Sequence, residues 1–497
     1  MSENQAARIA LPFAGLGLLL ALSLVLAVNH IKGLAHEDNA SENQADSAPA
    51  SPNLNEGPVR PLNAGPVRPV RQNPELGGII KRLAATDKPT RDQAMSELLA
   101  LRNQPFSGAD GLALIAAAGN QYPSNGEAYR DTPTALLEVA GVAPHVAYVS
   151  AVRKVYPKLT TFAQTQALRL LSTIDDRSAA TTLVELLEQG VVAGTAPALD
   201  VDLLRQKPRF SDVYFPRLFK SAKGKPRYGV LSLALAYAAH GELEGAALRE
   251  QALPLMVMYA PLHEAITKAQ RKGGPNWLYE EPYLEAQDEA EILLDLMGYV
   301  PTAEVEQPLE DALKLKAPRL VCFAALSLVR HGVAVDPAAL ERIAANPEMR
   351  GTLFDGLGAL ERESLFPEKY KTQQAFAEWD MVHWLVYPTE LGRPPDEIEL
   401  MQVISEDTKT PEGVMEWYLF RFRMKAPHSM ASDGWMAGVS GPFQRSEAPS
   451  TRSYGDTFSS FTKWSERTPE EHVADVRALI AKHQAANPSG GIPYSAD

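Results

Sequence analysis

Twenty consecutive residues, Ile9 to Val28 (IALPFAGLGLLLALSLVLAV), carry no charge. As a helix rising ~1.5 Å per residue, such a run spans about 30 Å, the thickness of a bilayer's hydrocarbon core. Residues 1–35 are therefore expected to form a transmembrane anchor, with the remainder of the chain as tethered cargo. A cleaved secretory signal would also place an apolar run after a short basic start. Val25-Leu26-Ala27 and Gly33-Leu34-Ala35 offer small-residue cleavage sites for it. Signal cores of ~7 to 15 residues are shorter than this run, which favours retention. Arg8 and the α-amino group flank one side, and Lys32 followed by Glu37 and Asp38 the other. The positive-inside tendency then puts the N-terminus in the cytoplasm, giving a single-pass cell membrane protein with an extracytoplasmic bulk.

Residues 36–75 are poor in large apolar side chains and repeat GPVRP at Gly57 to Pro61 and Gly65 to Pro69. Each proline fixes φ and biases its predecessor toward extended backbone. A disordered, polyproline-like linker is expected, reaching on the order of 100 Å at ~3.1 Å per residue. Arg60, Arg68 and Arg71 are solvated there or touch anionic headgroups.

Past Glu75 the apolar residues recur at helical spacing and in pairs. Ala163, Ala167, Leu170, Leu171 and Ile174 share one face; after Asp175-Asp176-Arg177, a second helix presents Ala179, Leu183, Leu186 and Leu187. Neither helix can bury its face alone, which is the condition for stacking. The unit returns with Leu231, Ala234, Leu235 and Ala238 before Leu248, Ala252, Leu255, Met256 and Tyr259, where Pro254 predicts an interruption or a kink. It returns again with Ile292, Leu293 and Leu296 before Val305, Leu309, Ala312 and Leu313. Leu320 to Val329 precedes a helix capped by Asp336 with Pro337 at its first position. Leu353, Phe354, Leu357 and Leu360 open one more pair.

The stretch ALRLLSTIDDRSAATTLVELLEQG, Ala167 to Gly190, resembles a HEAT-type repeat, and APRLVCFAALSLVRHGVAVDPAALERIAAN from Ala317 is similar but looser. The resemblance covers about residues 76–405. It implies a mainly α fold, an α-solenoid of helical hairpins that binds other macromolecules, and it implies no chemistry.

Residues 406–497 break the pattern and are expected to form a small α+β module. Tyr418, Phe420, Phe422 and Met424 alternate with Trp417, Leu419, Arg421 and Arg423, a strand with one apolar face. Trp435 to Ser440 reads as a partner strand, with Gly434, Gly438 and Gly441 marking close approach or turns. Ser453 to Trp464 adds a third. Thr468-Pro469-Glu470-Glu471 is a capping box that opens a final helix running to about His483.

The formal net charge of -13 argues against nucleic-acid binding. The lone Cys322 lies in a helical apolar run and reads as a small buried hydrophobe. No phosphate loop, dinucleotide fingerprint, HExxH or CxxC is present, so no cofactor or metal is expected. Ser440 sits in a GVSGP sequence that lacks the second glycine of a nucleophile elbow. Asp380 and His383, at i, i+3 on a helix, could orient an imidazole or share a metal.

Two stretches stand out. Arg205, Lys207, Arg209, Arg217, Lys220, Lys223, Lys225 and Arg227 face a single acid, Asp212, with Phe210, Tyr214, Phe215, Phe219 and Tyr228 interleaved. Such a segment would dock an acidic protein partner, anionic headgroups or a glycan, or else be a solvated loop between hairpins. Trp277, Tyr279, Glu280, Glu281 and Tyr283 place aromatics beside paired carboxylates, as a sugar-cleaving site would. The expected function is a membrane-tethered protein-interaction scaffold. The alternative is a carbohydrate-active hydrolase or lyase on a helical toroid, with Glu280 and Glu281 catalytic.

Overall fold

The computed structural model describes residues 73–104, 107–124, 131–274, 276–386, 393–407, 413–424, 434–446, 448–453 and 458–486. The expected anchor, and the expected linker up to residue 72, lie outside them. Among the described residues no helix is long and apolar enough to cross a membrane. The chain is mainly helical with an antiparallel sheet near its C-terminus, and it divides into two compact units between Gln251 and Ala252.

In the first unit the long helices are α1 (Leu76–Leu83), α2 (Lys88–Ala100), α3 (Gly108–Ala118), α4 (Thr132–Ala140), α5 (Tyr148–Val155), α6 (Thr161–Thr173) and α7 (Arg177–Ala193). Three short helices follow: α8 (Asp202–Gln206), α9 (Ser211–Tyr214) and α10 (Arg217–Lys220). The unit closes with α11 (Arg227–Ala239) and α12 (Ala246–Arg249). Helices pack on the helix two places along as well as on their sequence neighbour. Thus α2, α4, α6 and α8 form one layer, and α1, α3, α5 and α7 the other.

The α6–α7 hairpin shows why. Thr160 accepts the Ala163 N–H at 3.2 Å to start α6, and Asp176 accepts the Ser178 N–H at 2.8 Å to start α7. Gly194, at φ 70°, ends α7 in the left-handed region that glycine adopts without strain. The expected faces are the buried ones: Ala163, Ala167, Leu170, Leu171 and Ile174 on one helix, Ala179, Leu183, Leu186 and Leu187 on the other. Each buried leucine contributes about 1.5–3 kcal/mol by leaving water.

The second unit repeats the arrangement with α13 (Ala252–Lys272), α14 (Glu281–Met297), α15 (Glu306–Ala312), α16 (Pro318–Arg330), α17 (Pro337–Ala345), α18 (Arg350–Ala359) and α19 (Gln373–Val386). Helix α14 packs on α16, and α16 on α18. Pro254 lies in the first turn of α13, where its missing N–H has no helical partner to lose, and the expected interruption falls just before it, between α12 and α13. Leu248 belongs to the separate helix α12.

Arginine–acid links join residues about one hairpin apart. Arg153 reaches Glu185 at 2.6 Å, Arg217 reaches Glu188, Arg177 reaches Asp212, Arg319 reaches Glu291, Arg330 reaches Asp295 at 3.0 Å and Arg350 reaches Glu378 at 2.7 Å. Their sequence separations run from 28 to 35 residues.

The sheet has four antiparallel strands in sequential order: β1 (Glu397–Asp407), β2 (Val414–Arg423), β3 (Met436–Gln444) and β4 (Phe458–Lys463). The strand β1, placed in the helical region by its sequence, straddles the expected boundary at 405/406 and pairs with β2 through Ile398↔Phe422. The expected single apolar face of β2 is two covered faces. Tyr418, Phe420 and Phe422 pack with Ala377, Met381 and Leu385 of α19. Met415, Trp417 and Leu419 pack with Val473, Val476 and Ile480 of the last helix, α20 (Pro469–Ala486). The capping box at its start is formed: Thr468 N–H donates to Glu471 Oε2 at 2.7 Å, and Glu471 N–H to Thr468 Oγ1 at 3.2 Å. A Cβ on Gly438 would lie 2.5 Å from Met381 Cε, so α19 approaches β3 closely at this glycine.

Candidate functional site

The basic stretch is built from α8, α9, α10 and the turns around them, packed on α7 and α11. Its arginines are structural. Arg205 donates to Ser232 Oγ at 2.9 Å and pairs with Asp202. Arg209 donates to the Ser172 carbonyl at 2.6 Å and pairs with Asp175 at 3.2 Å, while the Tyr237 hydroxyl donates to its carbonyl at 2.7 Å. Arg217 grips Glu188 with two nitrogens at 3.1 and 2.5 Å. Arg227 is half-buried at the start of α11. Asp212, expected to face the whole stretch, is held by Arg177.

The aromatics also turn inward. Tyr214 and Phe215 are buried, and their rings lie 6.2 and 5.4 Å from that of Tyr237 in edge-on contacts. Burial raises the Tyr214 hydroxyl well above its ordinary value. What remains at the surface is a lysine quartet, Lys207, Lys220, Lys223 and Lys225, all exposed and with no ion pair among the described residues. This cationic patch stands on a chain of net charge -13.

Glu280 and Glu281 are exposed at the start of α14. The rings expected to line a sugar subsite face the protein: Trp277 and Tyr283 are buried and contact each other edge-on at 5.0 Å. Asp380 accepts from the fully buried Ser440 hydroxyl at 2.7 Å, which ties α19 to β3. His383 stacks on Trp379 at 5.4 Å, and burial, with the charge of Arg319, pushes its imidazole down to about 4. It is neutral at pH 7. Cys322 is free and buried, as expected for a small hydrophobe.

The densest titratable cluster was not singled out by sequence. Arg319, at the start of α16, donates to both Glu291 oxygens at 2.5 and 2.7 Å, and Gln287 donates to Glu291 Oε1 at 2.9 Å. Both charged side chains are nearly buried, at 12% and 7% exposure. Burial pulls the Arg319 guanidinium down, but the charge and hydrogen bonds of Glu291 outweigh it and hold it above its ordinary value. Around this pair, burial and then the Glu291 charge lift Asp288 to about 6, and burial raises Glu348. Arg393 lies over the Tyr279 ring at 4.9 Å. The cluster has one fully paired acid, two protonatable acids and a neutral imidazole. Its signal in sequence is a Glu and an Arg 28 residues apart, one hairpin length. Among the described residues no group of three or more His, Cys, Asp or Glu is arranged to hold a metal ion.

Compared with known proteins, the chain matches no family, no curated protein and no solved structure.

Proposed function

We propose that this chain is a membrane-tethered scaffold: a HEAT-like α-solenoid of helical hairpins that binds a partner protein and performs no chemistry of its own. The observation that carries the reading is the layered packing of each helix on the next but one, laced by arginine–acid links about one hairpin apart. Arrays of this kind bury their apolar faces between neighbours and leave an extended surface for recognition. The lysine quartet supplies that surface with charge for an acidic partner. The charge-free run Ile9 to Val28 supports the tether, and the flanking charges support an extracytoplasmic bulk.

The test replaces Lys207, Lys220, Lys223 and Lys225 together by Ala and leaves the structural arginines in place. Photo-crosslinking from position 206, exposed beside Lys207 and untouched by the four substitutions, should give in native membranes a discrete protein adduct, lost in the quadruple variant and weakened by salt. An adduct to lipid alone, or a protein adduct indifferent to the four substitutions, overturns the reading.

A further inference from the structure

The turn that leads from Lys207 into α9 contains a backbone conformation its own residues do not favour. Phe210 sits at φ 54° and ψ 38°, the left-handed region that an aromatic L-residue rarely adopts. Among the described residues only Glu361 shares a positive φ with it outside glycine. Phe210 is also the N-cap of α9, a place where Ser, Thr, Asn, Asp or Gly ordinarily stands, and its side chain makes no capping hydrogen bond. The local sequence works against this conformation, so a contact from outside the turn must hold it.

Tyr237 of α11 makes that contact. Its hydroxyl accepts from the Arg209 N–H at 3.1 Å and donates to the Arg209 carbonyl at 2.7 Å, so one oxygen grips both backbone groups of the residue before Phe210. The Arg209 guanidinium is pinned in turn by the Ser172 carbonyl and by Asp175. Tyr237 is fully buried, and burial pushes its hydroxyl up to about 12, so it remains a donor at pH 7. Two residues before the gripped Arg209, Lys207 stands exposed at the end of α8. We infer that Tyr237 is a positioning residue for the lysine patch: by gripping Arg209 it holds Phe210 left-handed, fixes the turn between α8 and α9, and presents Lys207 to the acidic partner already in place. This rests on the partner-binding reading above.

The probe is fluorescein-labelled poly-L-glutamate, followed by fluorescence anisotropy against the full chain in detergent at low salt. Tyr237→Phe keeps the buried ring and removes only the hydroxyl; it should bind roughly threefold more weakly, the effect of one misplaced surface charge. Circular dichroism checks that it folds. In a Lys207→Ala background the same change should cost nothing further, because the lysine it positions is gone. Adding Phe210→Gly to Tyr237→Phe should restore most of the lost affinity, since glycine takes φ 54° without strain. Phe210→Val, whose β-branch opposes a left-handed backbone, should weaken binding as Tyr237→Phe does, and it decides the matter should Tyr237→Phe not fold. Unchanged affinity in folded Tyr237→Phe or in Phe210→Val, an equal loss with and without Lys207, or no recovery on adding Phe210→Gly overturns the inference. Poly-L-glutamate that does not bind, or that binds the lysine-quartet variant equally, refutes the patch reading instead, so the two fail separately.

Discussion

Replacing Asp288 by Asn should stabilise the protein at neutral pH and leave it unchanged in acid. The carboxyl lies half-buried on α14 near the Glu291 charge, and among the described residues no hydrogen bond lowers its affinity for a proton. Its pKa rises from 3.8 to about 6 on folding. A raised carboxyl contributes stability that is fully present below pH 3.8 and is lost as pH climbs through 6. The loss is about 3 kcal/mol when complete, and partial exposure trims it to about 2 kcal/mol. Asn never ionises, so the variant escapes the loss. Guanidinium unfolding at pH 7.5 should show the variant about 2 kcal/mol more stable, and at pH 3.5 the two proteins should coincide. A variant less stable at pH 7.5, or a difference identical at both pH values, would refute the electrostatic reasoning.

Arg319→Met should cost about 3–5 kcal/mol, because Glu291 stays buried without its bidentate partner; adding Glu291→Gln should restore most of this in the same unfolding assay. Gly229→Ala should destabilise the first unit by about 2 kcal/mol or more, since the new Cβ would sit 2.1 Å from the Leu199 carbonyl oxygen; thermal unfolding reads the shift. Thr468→Ala should cost about 1 kcal/mol through loss of the α20 cap, visible as faster amide exchange in residues 469–475.

The hairpin α6–α7 could be read from sequence because everything that defines it is local: Asp176 caps, the apolar residues keep one period, and Gly194 terminates the helix. The strand β1 could not. Its alternation of Glu397, Ile398, Glu399 and Leu400 breaks at a bulge between Leu400 and Gln402, which removes the period-two signal midway. The basic stretch misled for a related reason. Its helices of four or five residues are too short for periodicity, and the partners that fix Arg209 and Arg217 come from α6, α7 and the turn between them, up to 37 residues away. Charge spacing at one residue type shows composition, whereas burial decides which charges stay available. The Arg319 cluster draws on α14, α16, α19 and the turn before α18, so only the one-hairpin separation of Glu291 and Arg319 marks it in the sequence.

The central claim is that the hairpins of the first unit stack as repeats, each stabilised by its immediate neighbours. Leu183→Ala in α7 removes a fully buried side chain and should cost about 2–5 kcal/mol. Hydrogen–deuterium exchange of this variant should show protection lost in α5 through α10 and kept in α1 and α2. Uniform loss of protection across residues 76–251 would contradict repeat stacking and point to one undivided core.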